Sequence, residues 1–313
     1  MEERTIVKSG LASHTITIPK NWLQRNHLKK GSKVYCTEEE SSLRIFPTKV
    51  EHLREEDQAI NIDDAIDIQR QIVAAYLTNH NEIRIFGKTL SEKLTKVKEF
   101  VTKLAGLEIL EETGNHLILK DYIDIDEINL WNLLKRMDII IRSMMSDTRS
   151  CLEKTNPQLA SVVYARDLEL NKLAFLVYKN LNYLAMHPDQ AALQQVKPHN
   201  LMHLWEMNNH LEKIGDEVKR LVISSGDLPP KNAESIKELF EFAENFYRKI
   251  MDAFRTKNQR VADEASNQRY RVLDMCAKYL ETARAIKGRH LVARIPYIIS
   301  HTNDISRTMQ YIT

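Results

Sequence analysis

The sequence predicts a mainly α protein with an α+β N-terminal part, and three observations along its 313 residues lead there. Strand-type alternation punctuated by Gly and Pro fills the chain up to about residue 125. From about residue 126 onward, apolar residues recur instead at alternating spacings of three and four, the period of bundle helices. The segment SSGDLPPKN at 224–232 then breaks the helical region into two units of three helices each.

Residues 1–50 read as two β-hairpins around one short helix. RTIVKSG and SHTITIPK form the first pair, with His14, Ile16 and Ile18 alternating against Thr15 and Thr17. KVYCTE and SLRIFP form the second. Between them a helix begins near Pro19, a favoured first-turn residue, carries Trp22 and Leu23, and stops by Gly31. So small a segment cannot bury both faces of its strands, and pairing with a second copy of the chain is the usual remedy.

Residues 51–125 read as a small α+β segment. A helix around DAIDIQRQIVAAYL is followed by a strand EIRIFG, a helix through SEKLTKVKEFVTKLAG, and strands LEILEE and HLILKD. Thr-Gly-Asn joins these last two, and Gly114 makes the joint a hairpin.

The first helical unit, 126–228, carries three apolar stripes. One runs Ile128, Trp131, Leu134, Met137, Asp138, Ile141, Met145 and Thr148; the second runs Leu159, Val163, Leu170, Leu173, Val177, Leu181 and Leu184. The third runs Leu201, Leu204, Asn208, Leu211, Gly215, Val218 and Leu221. The second unit, 229–313, ends on the cleanest seam: Ile295, Ile298, Thr302, Ile305, Met309 and Ile312. Pro296 requires that this helix begin just before it or kink there. Two successive three-helix units have the look of a diverged internal repeat.

A net charge of +2 with 28% charged residues is too balanced to announce a nucleic-acid partner from composition. The excess is local: residues 1–50 hold nine Lys and Arg against five Glu. Cys36, Cys151 and Cys276 are far apart, without CxxC or Cys/His ligand spacing, and read as packed thiols of a reducing cytoplasm. The chain lacks an apolar stretch of the roughly 20 residues needed to cross a bilayer and an apolar leader core. A Gly-rich phosphate cradle, a nucleophile elbow, HExxH and the Glu-x-x-His pairs of di-iron bundles are all missing, so an enzyme is not expected. His203, His210 and His290 read as solvated or capping residues, and Met144 and Met145 as core.

The segment VKSGLASHTITIPKNWLQRNHLKKGSKVYC resembles the AbrB/MazE swapped-hairpin domain over nearly all of residues 4–47. The shared features are K-S-G, an alternating strand ending in I-P-K, a short apolar-bearing helix, and L-K-K-G-S-K before the next strand. Further on, LEKIGDEVKRL at 211–221 is similar to the PhoU hallmark, in which a carboxylate, three residues and an aspartate precede a basic residue; here these are Glu212 and Asp216. RDLELNKLAFLVYKN resembles the other PhoU signature, with Asp167 and Asn171 at matching positions. In the second unit ISHTNDISRTM retains Asp304, but Ser300 stands four residues earlier, with His301 beside it, and Asn267 and Arg271 stand where carboxylates belong on the preceding helix. The order of the whole chain, including IRIFG and KLAGLEILEE, resembles the archaeal AbrB-PhoU fusion family.

That resemblance implies a swapped-hairpin β domain, a small α+β segment and two PhoU-like three-helix bundles, assembled as a homodimer. It implies a phosphate uptake regulator that negatively controls phosphate transport and phosphate-responsive transcription, with double-stranded DNA and a phosphate transporter ATPase or signalling kinase as partners. Arg4, Lys8, Ser13, His14, Lys20 and Arg25 are the expected DNA-contacting residues, since Glu38, Glu39 and Glu40 would repel a duplex from the distal hairpin turn. The alternative is that the head only dimerises and the protein is an adaptor on the transporter ATPase or kinase. A divalent metal or metal cluster (Fe, Zn, Mg or Mn) is implied in the first bundle, with Asp167, Asn171, Glu212, Asp216 and, in the second bundle, Asp304 as candidate ligands. Glu212 and Asp216, four apart on a helix, share one face, where they suit a hard cation. They equally suit solvated pairing with Lys213, Lys219 or Arg220.

Overall fold

The computed structural model describes residues 3–10, 13–39, 42–47, 57–154, 156–224, 230–283 and 286–312. The chain divides into two compact units, Met1–Arg54 and Glu55–Thr313.

In the first unit, β1 (Val7–Lys8) pairs antiparallel with β2 (His14–Thr15), a shorter hairpin than the alternation predicts. Helix α1 (Lys20–Arg25) follows Pro19 and closes with His27 in the left-handed region at φ 53°. The Leu28 amide then reaches back to the Leu23 carbonyl and the His27 amide to that of Gln24, the paired closure of a Schellman motif. β3 (Tyr35–Glu39) and β4 (Ser42–Phe46) form the second hairpin, in register from Tyr35 opposite Phe46 to Glu39 opposite Ser42. Among the described residues of this unit whose exposure is known, none is buried. Ile6 is 66% exposed, Val7 57% and Leu43 58%. Cys36, expected to pack, is exposed too, because its unit has no interior to receive it.

The second unit opens with a four-stranded sheet. β5 (Gln58–Asn61), α2 (Ile68–Leu77), β6 (Glu82–Phe86), α3 (Leu90–Val101), β7 (Leu107–Glu112) and β8 (His116–Asp121) give the strand order β5-β6-β8-β7. β5 and β6 are parallel, as a helical crossover requires, and the other pairs are antiparallel. Helix α2 starts at Ile68 because the Asp67 carboxylate accepts from the Gln69 and Arg70 amides. Ile60, Ile72, Tyr76, Ile83, Ile85, Val97, Leu117 and Leu119 form the core between sheet and helices.

Six long helices follow among the described residues. α4 (Leu130–Glu153), α5 (Pro157–Met186) and α7 (Asn200–Ser224) make the first set; α8 (Pro230–Arg255), α9 (Gln259–Thr282) and α11 (Ile295–Ile312) the second. In each set a short helix precedes the third long one, α6 (Pro188–Leu193) and α10 (Ile286–Val292). Asn129, Asn156 and Asn258 cap α4, α5 and α9 through their side-chain oxygens, and Pro157 sits in the first turn of α5. Helix α11 begins at Ile295, so Pro296 lies where its missing amide costs nothing. The two sets share a single apolar core: α7 packs most extensively on α11, and α4 also packs against α8. The mainly helical fold behind an α+β N-terminal part is thus as the periodicities predict. No helix among the described residues is long and apolar enough to cross a membrane.

A buried charge joins sheet and bundle. Lys179 on α5, with 1% of its side chain exposed, donates to Asp121 Oδ2 at 2.5 Å and to the Tyr76 carbonyl at 2.8 Å, and its ammonium lies 4.3 Å from the centre of the Tyr76 ring. The Tyr76 hydroxyl in turn donates to the Ala105 carbonyl at 2.9 Å. Removing one member of such a pair strands the other charge in the interior. Lys179→Met is therefore expected to cost about 3–5 kcal/mol in chemical denaturation, and adding Asp121→Leu should recover most of that loss.

Candidate functional site

Helix α7 carries the densest set of charges near the core. It approaches α5 closely because position 215 lacks a side chain: a Cβ on Gly215 would lie 2.1 Å from Leu170 Cδ2. Leu170 is fully buried and has little room to give way. That approach brings Asp167 of α5, 1% exposed, against the next turn of α7.

Lys219 lies between the two helices' carboxylates. Its Nζ donates to Asp167 Oδ2 and to Asp216 Oδ1, both at 2.6 Å. The Asn171 amide donates to Asp167 Oδ2 at 3.4 Å. Arg220 pairs with Asp216 at 3.4 Å and also with Glu217, which Arg294 approaches from α11's N-terminal side at 3.4 Å. Burial pushes the Asp167 carboxyl up, a shift that the Lys219 ammonium opposes. Glu212 is also raised, first by burial and then by the neighbouring charges of Asp216 and Asp167. Burial works against the charge on Lys219, but its hydrogen bonds to Asp167 and Asp216 outweigh it and hold the ammonium above its ordinary range.

Four of the five residues expected to hold a metal therefore gather in one place. Asp167, Asn171 and Asp216 are linked by hydrogen bonds, and Glu212 is close enough for its charge to be felt. Their donors are all oxygens, the set that suits a hard cation. Asp167 Oδ1 and Asn171 Oδ1 are buried without a hydrogen-bond partner in the protein, which leaves acceptors for a cation to use. The charge balance is already local, however: the Lys219 ammonium stands between Asp167 and Asp216, so a metal bridging them would have to displace it.

Asp304, the fifth, lies elsewhere. On α11 it joins His301 and, from α7, His210, with one ligand atom from each of the three lying within 4.8 Å of the others. The two imidazoles face each other through Nδ1, 3.2 Å apart. Both are half-buried, and burial holds both below the ordinary histidine range, with the Lys213 charge adding to the effect. His210 is thus not the solvated residue its sequence context suggests. The reason is the packing of α7 on α11, which turns that face of α7 inward. No spacing signal could have found the pair, since 91 residues separate its members. Asn267 and Arg271 stand on α9, where Arg271 is exposed.

The residues expected to touch DNA are all exposed on the first unit. Lys8 and His14 are register partners in the β1–β2 pair. Ser13 Oγ donates to the Ser9 carbonyl within the same turn. Lys20 and Arg25 open and close α1, and Arg4 and Arg25 line a groove with Ile16, Ile18, Trp22, Leu43 and Ile45. Of the acidic turn, Glu40 lies outside the described residues, as does Lys49, and Glu38 and Glu39 stand at the end of β3.

Two substitutions probe this arrangement. Gly215→Ala raises helix propensity by about 1 kcal/mol, yet the added methyl group must displace Leu170. A net loss of about 1–3 kcal/mol in thermal or chemical unfolding is expected. Lys219→Met removes the ammonium between Asp167 and Asp216 and leaves buried Asp167 without its ion-pair partner, while Asp216 keeps Arg220. A loss of about 3 kcal/mol is expected, recovered in part by millimolar MnCl2, with recovery read as a rise in Tm.

A family model described as the PhoU domain matches residues 134–222, from the first turns of α4 to the last turn of α7. No curated protein and no solved structure matches the chain. The helices that build the acidic cluster lie in the segment that is similar to the PhoU domain, which fits a family of regulators of phosphate homeostasis.

Proposed function

We propose that the chain is a homodimeric, cytoplasmic regulator of phosphate uptake that couples a DNA-contacting head to a phosphate-responsive helical body. The PhoU match over residues 134–222 carries the reading. PhoU-family proteins are regulators rather than enzymes, and the proposal follows that family. In this reading the body docks on the phosphate transporter ATPase or on a signalling kinase and restrains uptake when phosphate is plentiful.

The head is the AbrB-like part of the proposal. A unit of two hairpins and one helix with no buried residue among those whose exposure is known, and with Ile6, Val7, Ile16 and Leu43 exposed, needs a partner surface. A second copy supplies one, by interleaving its hairpins with those of the first. Doubling Arg4, Lys8, Lys20 and Arg25 across the dimer gives a positive face for duplex phosphates, with Ser13 and His14 beside it. In the body, Asp167, Asn171, Glu212 and Asp216 would hold a divalent cation (Fe, Zn, Mg or Mn) once Lys219 swings out. The cation would supply positive charge for an anion or for a partner's carboxylate.

The second reading keeps the dimer and removes the DNA: the head is then a clamp, and the protein an adaptor on the transporter ATPase or the kinase. The exposure of the head's apolar residues favours a dimer under either reading. An electrophoretic shift assay on the promoter region of phosphate-transport genes separates the two. The regulator gives a salt-sensitive shift. Arg4→Ala with Lys8→Ala weakens it and makes the plot of log affinity against log salt shallower by about 0.9 for each phosphate no longer neutralised. Absence of any shift at micromolar dimer in low salt would remove the DNA-binding half and leave the adaptor.

A further inference from the structure

We propose that His210, His301 and Asp304 form a mononuclear site for a borderline divalent transition metal of the Zn2+ or Co2+ kind, clamped between α7 and α11. The proposal stands apart from the DNA reading and from the oxygen-only cluster around Asp216, with which it shares no residue. It also departs from a paired-carboxylate arrangement, since Ser300 stands four residues before Asp304.

The geometry carries it. Two nitrogens bound to one tetrahedral metal at about 2.0–2.1 Å lie about 3.3 Å apart. His210 Nδ1 and His301 Nδ1 are 3.2 Å apart. Asp304 follows His301 by three residues on the same helix and so presents its carboxylate on the same face. One ligand atom from each of the three falls within 4.8 Å of the others, close enough for a single ion. The two helices are the most extensively packed pair in the body, so the ligands stand on rigid supports and little ordering is needed when the ion enters. Asp304 is held only loosely by Arg307, at 3.7 Å, and can turn toward the ion.

The donor set selects the metal. Two imidazoles and one carboxylate favour zinc, cobalt, nickel or iron over magnesium and calcium, which prefer oxygen alone. Three protein ligands leave one tetrahedral position for water or for an exogenous anion. Lys213, whose charge reaches both imidazoles, stands near enough to favour an anion there. In the competing arrangement the two rings share one proton through a direct Nδ1–H···Nδ1 hydrogen bond and bind no metal.

Titration of the full chain with CoCl2 tests the proposal through the visible d–d absorption of tetrahedral cobalt. The tetrahedral bands are expected to saturate at one equivalent per chain, and ZnCl2 should bleach them. His210→Gln and His301→Gln should each weaken binding by about a hundredfold or more, and Asp304→Asn by about tenfold. Glu212→Gln combined with Asp216→Asn removes ligands of the oxygen cluster alone and should leave the intense tetrahedral bands unchanged, whatever cobalt that cluster takes up. Far-UV circular dichroism establishes that each variant is folded. Should a histidine variant fail to fold, X-ray absorption on the wild-type cobalt complex decides by counting imidazole ligands, with two expected. No tetrahedral bands and no retained zinc after desalting would overturn the site. So would binding that survives both histidine substitutions but disappears with Glu212→Gln and Asp216→Asn, or an absorption spectrum free of imidazole.

Discussion

The missing side chain at position 215 is the constraint on which the helical body depends. Helix α7 packs against α4, α5 and α11 together, and such a central helix can satisfy all its neighbours only if one contact is nearly backbone to side chain. Leu170 fills the space that a Cβ would have taken. The rest of the site follows from that approach. With α5 drawn in, Asp167 is buried and meets Lys219, while the opposite flank of α7 presents His210 to α11. One helix therefore carries two chemically different side-chain clusters, one of oxygens and one mainly of nitrogens.

The oxygen site is electrostatically self-contained. The charges of Asp167 and Asp216 add to burial in pushing the Glu212 carboxyl up, while the Lys219 ammonium, with Arg220 at the rim, offsets the repulsion among the carboxylates. Ion pairs of this kind seldom stabilise a fold more than packed apolar residues would. Their effect is on geometry: they fix the rotation of α7 about its axis and hold Asp167 Oδ1 and Asn171 Oδ1 without hydrogen-bond partners. The Lys179–Asp121 pair does the same for the sheet, since burying both charges leaves a single productive docking of α5 on the end of β8.

The N-terminal unit obeys a different constraint. Its described residues build local structure, with paired hairpins and a closed helix end, yet none of those whose exposure is known is fully buried. Local hydrogen bonds set the shapes of the elements but add little net stability, because water competes for the same groups. Ile6, Val7, Ile16 and Leu43 stand exposed, so the apolar surface that burial would otherwise remove from water adds nothing to the unit's stability.

Periodicity alone determined the mainly helical architecture, the helix stripes and most of the sheet, because a period of two or of 3.6 reports directly which face is buried. The buried positions of α11, from Ile295 to Ile312, include every residue of its seam. Strand β5 escaped notice because Gln58–Asn61 is four residues long with polar ends, and Cys36 misled because burial depends on an interior its unit lacks. Local sequence also placed Glu212, Asp216 and Lys219 on one helix, and the signature around Asp167 named its partner. Only the tertiary structure decided that Lys219 stands between Asp167 and Asp216, and that His210 meets His301 and Asp304. The physical reason is that side chains on different helices are brought together by packing distance and rotation about the helix axis, and neither is written in the spacing along one chain.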